Sequence, residues 1–288
     1  MSPLAAARAV ARAAATPLLV LRTKSGRVES VALDDYVAAV LPGEIGRRAP
    51  AAALEAQAIA ARSYALARRE RHRDEGADLC DGVHCQVFSG RDAATEETRG
   101  ASEATRDLVL VQKGRVIAAP FHAVCGGRTT RPRDVWDDEE SPDLVPVEDD
   151  ACRDAPGFEW SYAIRRKALP ALGAALGFPE ARFFEIFSRD DTGRVASVRF
   201  AAPGGRSVTL RGFDFRRGAS ELWGWATVRS TAFEVTESRS EYLLTGRGTG
   251  HGAGMCQAGA ISRARRGESR DAIVALYYRG ASIGLLSG

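Results

Sequence analysis

Four groups of residues carry side chains and spacings that could do chemistry. Glu44 stands in Leu41-Pro42-Gly43-Glu44-Ile45-Gly46, where a proline and two glycines around a carboxylate read as a tight turn between rigid elements. A general acid for a glycosidic or similar bond needs such a carboxyl, partly buried so that it keeps its proton and fixed on unyielding backbone. The alternative is that Glu44 caps the helix that follows. Arg62-Ser63-Tyr64 interrupts an otherwise alanine-lined helical face. There Arg62 either faces the Glu44 turn, to bind an anionic or acetamido-bearing substrate, or pairs with Glu55 along the helix surface.

The third group is Gly246-Arg-Gly248-Thr-Gly250-His251-Gly252-Ala-Gly254-Met255-Cys256-Gln257. Glycine at every second position from 246 to 254 weakens a strand and signals close approach of backbone to something else. It is not a nucleotide loop, because the G-x-G-x-x-G spacing fails and no Gly-Lys-Ser/Thr follows. His251 at its centre is either an imidazole presented to a ligand or a histidine bonding the loop's own backbone. The fourth group is Cys80, His84, Cys85, His122, Cys125 and Cys152. Cys80-x4-Cys85 with a distant Cys and His can close a tetrahedral zinc site. Disulfides Cys80–Cys85 and Cys125–Cys152 are the alternative in an oxidising compartment. Cys256 stays alone under either scheme, and as a nucleophile it has only His251 close in sequence.

These groups need a frame. The chain has 288 residues, 45% of them hydrophobic, which is enough for a sizeable core and about two domains. Disorder and a coiled coil are excluded. Forty Lys+Arg against 37 Asp+Glu leave +3, spread along the chain, so nucleic acid is not the expected partner. No apolar run reaches the length of a membrane span. Arg8 and Arg12 interrupt the N-terminal stretch where a signal peptide would be unbroken and apolar, so no export signal is legible there.

A strand over 28–33 leads to a helix in which Leu33, Val37, Val40 and Leu41 share a face, with Asp34 or Asp35 as its cap and Pro42-Gly43 as its stop. A second helix starts near Pro50, with Leu54, Ala58, Ala61 and Ala65 on one small-residue face. Residues 108–111 and 116–119 read as a hairpin around Lys113-Gly114, and the acidic stretch 137–150 as a surface loop. A helix over 166–176 and strands at 195–200, 207–210, 232–236 and 241–245 make a smaller insert, and helices end at Gly267 and Gly280. The expected fold class is α+β (mixed α/β). Residues 1–16 form a poorly structured N-terminus, 17–152 with 246–288 a catalytic body, and 153–245 an inserted α+β domain.

Taken together, LDDYVAAVLPGE, the alanine-rich segment Ala53–Leu66, HCQVFSG (84–90), FHAVCGGRT (121–129) and GHGAGMCQAGA (250–260) closely resemble the SpoIID/LytB family. Five motifs in order bracket nearly the whole chain, and only the insert is weak. The resemblance implies a bacterial envelope protein acting on peptidoglycan glycan strands. SpoIID-type members are lytic transglycosylases; LytB-type relatives are described as amidase enhancers, which implies a cell-wall amidase as partner. Carried over by position, the family's catalytic acid falls on Glu44 and its essential helix arginine on Arg62. Ser63, Tyr64, Gly250, His251, Gly252 and Gln257 then fall in the substrate cleft, which is expected between Glu44 and His251. Cys256 stands where many relatives have serine, as a passive isostere. Some members bind zinc around the H-C-Q motif, for which Cys80, His84, Cys85 and Cys125 are the ligand candidates here. No cofactor is expected to take part in catalysis, and a zinc ion would be structural.

Overall fold

A computed structural model describes residues 16–136 and 142–286, with eight α-helices and fourteen strands in an α+β arrangement. The poorly structured N-terminus expected over 1–16 lies, except for Thr16, outside the described residues, as does the start of the 137–150 loop. In chain order come β1 (Leu18–Arg22), β2 (Arg27–Val31), α1 (Leu33–Glu44), α2 (Ala51–Ala67) and β3 (Leu79–Cys80). Next are α3 (Glu96–Ala104), β4 (Leu108–Gln112), β5 (Arg115–Val116), β6 (Phe121–His122) and α4 (Pro132–Val135). β7 (Glu159–Arg165), α5 (Leu169–Ala175), β8 (Phe183–Arg189), β9 (Val195–Ala201), β10 (Ser207–Arg211) and α6 (Gly212–Trp223) follow. The chain closes with β11 (Phe233–Glu237), β12 (Glu241–Arg247), β13 (Met255–Cys256), α7 (Gln257–Arg265), α8 (Arg270–Tyr277) and β14 (Ser282–Leu285).

Two compact units divide these elements. Among the described residues the first holds 16–121, 142–145 and 260–286, and the second holds 122–136 and 146–259. This moves 122–136, 146–152 and 246–259, expected in the catalytic body, into the unit of the inserted segment. The physical reason is hydrogen bonding. Val124 and Thr249 exchange backbone bonds of 3.0 and 2.8 Å, Thr130 N–H donates to Gly252 O at 2.9 Å, and Gly248 N–H to Phe158 O at 2.7 Å.

In the first unit, β2-β1-β3 and β14-β4-β5 form small sheets, with β1 and β3 parallel. α2 is the central helix. The expected face of Leu54, Ala58, Ala61 and Ala65 is buried, but so are Ala56, Gln57, Ala60, Arg62 and Ser63. Alanine at most of these positions lets α1, α3, α8 and β4 approach closely. Such a helix shows little amphipathic contrast, because no side of it faces water over 56–63. In the second unit, β10-β9-β8 and β11-β12-β7 are antiparallel sheets. Trp160 and Ile164 on β7 and Tyr242 and Leu244 on β12 alternate inward, joining Phe200 and Phe215 in one core. No helix among the described residues is long and apolar enough to cross a membrane.

Arg62 is the largest side chain buried at 0% exposure. Its Nη1 donates to Thr105 O at 2.7 Å, and its Nη2 to Asp34 Oδ1 at 2.9 Å and Ser102 O at 3.0 Å. One guanidinium therefore ties the first turn of α1 to the carbonyls at the end of α3, where a cation also suits the helix dipole. Burial lowers its pKa, and the hydrogen bond it donates to Asp34 works against that shift. Glu55 pairs with Arg270 at 3.2 Å rather than with Arg62. Ser63 is buried too: its Oγ donates to Ile59 O at 2.6 Å and accepts the Leu110 N–H at 2.8 Å, docking β4 on α2. Neither side chain is available to bind substrate, which corrects the expectation for both. Arg62→Ala is expected to lower the unfolding free energy by about 2–4 kcal/mol, because it strips the guanidinium from Asp34 and from the α3 carbonyls. Urea titration measures this, and the activity lost should track the unfolded fraction.

Candidate functional site

Glu44 is the last residue of α1. The helix does not stop at Pro42-Gly43; it runs through both, and Gly46, at φ +90° just past the Ile45 cap, ends it. Gly43 has a different task. A Cβ there would lie 2.8 Å from Val87 Cγ1 and 3.1 Å from Val87 O. The missing side chain lets the 84–88 loop lie against the last turn of α1, so that Val87 N–H donates to Glu44 Oε1 at 2.7 Å. Glu44 is half-buried and oriented by backbone, and it does not cap a following helix.

The same loop carries two residues of metal-binding type, His84 and Cys85. His72, Cys80, His84 and Cys85 bring one donor atom each to within 4.8 Å of one another. His84 Nδ1 is 3.2 Å from His72 Nε2, 3.9 Å from Cys80 Sγ and 3.8 Å from Cys85 Sγ. Around a zinc ion, bond lengths of about 2.0–2.3 Å give tetrahedral edges of about 3.3–3.8 Å, so the set fits. His72 Nδ1 lies 3.4 Å from Glu75 Oε1, the outer carboxylate that orients many metal-binding imidazoles. A hydrogen bond from Cys85 holds the Cys80 thiol well below its ordinary range and pushes Cys85 up. His72 was missed in the sequence because it precedes Cys80 by eight residues across a turn.

Glu44 and this cluster share a neighbour. Tyr36 is fully buried and stacked on Phe88 at 5.3 Å. Burial pushes its phenol up, and the charges of Cys85, Tyr64, Glu44 and Cys80 push it further. Tyr64 is half-buried, accepts from Arg71 at 2.5 Å and lies 3.5 Å from His84 O. It therefore borders the cluster, whereas Arg62 and Ser63 point into the core.

In the second unit the glycine run is packed against the protein's own atoms. A Cβ on Gly246 would meet the Trp160 ring at 2.3 Å, on Gly248 the Val124 carbonyl at 2.6 Å, and on Gly250 His122 Cβ at 2.9 Å. On Gly252, at φ +84°, it would meet Arg194 Cζ at 2.5 Å. Internal close approach accounts for these glycines without a polysaccharide. His251 Nδ1 accepts the Ala253 N–H at 3.1 Å, so it does bond its own loop. Its half-buried ring packs on Trp136 at 4.7 Å and on His122 at 5.4 Å. His122 is buried, bonds Ala253 O at 3.0 Å and belongs to neither group of metal-type donors. Gln257 is buried at the start of α7.

Cys125 is not a partner of Cys80, His84 and Cys85. It groups with Asp149, Cys152 and Cys256, all buried in the second unit. All five cysteines are free thiols, and the Cys125 and Cys152 sulfurs stand 3.3 Å apart, beyond the bonded distance of about 2.05 Å. Cys256, expected alone, accepts the Cys125 N–H at 3.3 Å. A groove of about 840 Å³ near Trp160, Phe233 and Arg247 contains none of the expected site residues.

The family described as Stage II sporulation protein matches residues 22–112, the stretch that contains Glu44, Arg62 and the first metal-type cluster. An uncharacterised protein of Brachyspira hyodysenteriae is 30% identical over 259 residues, 89% of this chain and 67% of its own length. The chain belongs to the SpoIID/LytB family. Stage II sporulation protein D of Bacillus amyloliquefaciens is 27% identical over 286 residues, covering 92% of this chain and 77% of that protein. The amidase enhancer of Bacillus subtilis is 25% identical over 289 residues, covering 85% of this chain but only 39% of that longer protein. This SpoIID/LytB chain thus spans most of the sporulation relative and well under half of the enhancer.

Two outcomes follow from the second unit. Gly252→Ala combines a left-handed backbone with a clash on Arg194, and a loss of about 1–3 kcal/mol is expected in thermal denaturation. Burial, with Arg194 and Arg216 adding like charge, pulls His122 down to about 3, against about 6.5 when unfolded. The stability from neutral His122 is full above about pH 6.5 and is lost as pH falls towards about 3, because the unfolded chain binds the extra proton. His122→Asn should flatten the fall of the urea midpoint across that window.

Proposed function

We propose that this SpoIID/LytB chain acts in the cell envelope, outside the cytoplasm, and cuts peptidoglycan glycan strands as a lytic transglycosylase. The observation that supports it best is the 2.7 Å bond from Val87 N–H to Glu44 Oε1, which orients a half-buried carboxyl. Glu44 first protonates the glycosidic oxygen as the bond to the anomeric carbon breaks. The substrate's own 2-acetamido oxygen stabilises that carbon. The 6-hydroxyl of the same muramic acid then attacks it, Glu44 takes the hydroxyl proton, and a 1,6-anhydro product leaves. No second carboxylate is required, unlike hydrolysis by a paired set.

His72, Cys80, His84 and Cys85 would hold a zinc ion. Four protein ligands leave it no open position, so what it supplies is the anchoring of the 84–88 loop. Through His84 and Cys85 that anchoring reaches Val87 and hence Glu44. Tyr64, beside His84, forms part of the substrate wall, and Arg62 is a positioning residue that holds α1. In the second unit, His251 beside Trp136 offers an imidazole and an aromatic face to a sugar.

A second reading is a non-catalytic glycan binder that presents strands to a cell-wall amidase. The likeness to the Bacillus subtilis amidase enhancer over 85% of this chain supports it. Peptide-free glycan strands incubated with wild type should yield 1,6-anhydromuramoyl ends by mass spectrometry, and Glu44→Gln should lower their release at least about 100-fold. Equal release by both proteins would sink the role of Glu44. Saturable binding with no product, and faster release by an added amidase, would favour the second reading.

A further inference from the structure

The second unit holds four donor atoms that the proposed glycan chemistry does not use. Cys125, Asp149, Cys152 and Cys256 are each less than 2% exposed, and their donor atoms lie within 4.8 Å of one another. We propose that these residues form a second metal site, closed and structural, for a single zinc-class cation bound by three sulfurs and one carboxylate oxygen. It is separate from the His72, Cys80, His84 and Cys85 cluster and does not depend on the glycan-cleaving reading.

The geometry suits one ion. Cys125 Sγ is 3.3 Å from Cys152 Sγ and 3.6 Å from Asp149 Oδ2. Tetrahedral edges about zinc are about 3.8 Å for two sulfurs and about 3.5 Å for a sulfur and an oxygen. Three thiolates select a soft cation over magnesium or calcium. An S–S bond between Cys125 and Cys152 would leave a third sulfur and a buried carboxylate converging on the same point.

Backbone donors and one guanidinium face these sulfurs. Cys256 immediately precedes α7, and its sulfur accepts the N–H groups of Cys125 and Gly259, each at 3.3 Å. Backbone donors of this kind orient a metal-bound sulfur and fix its position. Arg194, 3% exposed, is anchored by Cys125 O at 2.5 Å and Arg128 O at 3.2 Å, and its charge acts on all three sulfurs. Three thiolates and a carboxylate away from water need more than one guanidinium to balance them, and a divalent ion supplies the rest. The ion would join Cys125 to Cys256 across 131 residues of sequence, closing the segment that carries His251.

The experiment uses the full chain, purified under reducing conditions, loaded with zinc and desalted. Cys80→Ser/Cys85→Ser, which removes the first cluster, should retain one zinc per chain by plasma mass spectrometry; adding Cys152→Ser should abolish it. Zinc X-ray absorption on the wild-type chain needs no folded variant, and should return a mean of more than two sulfurs per zinc. A mean of two sulfurs and two nitrogens, a zinc-free Cys80→Ser/Cys85→Ser protein that remains folded, or a Cys125–Cys152 disulfide in protein recovered from its own cell compartment would each overturn the proposal.

Discussion

The burial of one guanidinium sets the frame of the first unit. A charge without water is tolerated when most of its donors are used, and Arg62 uses both terminal nitrogens on Asp34, Ser102 and Thr105. The first turn of α1 is thereby pinned to the end of α3. At its other end the same helix presents Glu44, which Val87 N–H fixes. The carboxyl is positioned from both ends of a twelve-residue helix, one end by an ion pair to the buried Arg62 and the other by a backbone donor. An arginine held in this way fixes the helix that carries Glu44 from inside the core.

The loop over 84–88 joins two kinds of chemistry in a few residues. His84 and Cys85 face a donor set that suits a tetrahedral cation, and Val87, two residues on, holds Glu44. The donor cluster and the orientation of the carboxyl are therefore mechanically linked. Gly43 makes the link sterically feasible, since any Cβ would push Val87 away from the helix. The second unit repeats the theme, with glycines that admit Trp160, His122 and Arg194 to the backbone and hold the His251 loop in place.

Local signals in the sequence were legible where physics is local. The helices around 33–44 and 51–67, the 108–116 hairpin and the paired strands of the insert all follow from periodicity and turn chemistry. β1 and α3 carry no clear periodic pattern in the sequence. Pro42-Gly43 reads as a stop because proline removes a helical donor, yet the helix runs on through the pair to Glu44, with Gly46 as the terminator. The alternating glycines correctly signalled close approach but not its partner, since that partner lies far away in sequence.

From sequence alone came the family motifs, the α+β class and the set of residues able to do chemistry, because residue type and short-range spacing are encoded directly. Tertiary structure alone decided which cysteine joins which group, that His72 completes the first and Cys256 the second, and that Arg62 and Ser63 turn inward. Those outcomes depend on contacts spanning up to 131 residues and on the removal of water. Spacing along a chain specifies neither.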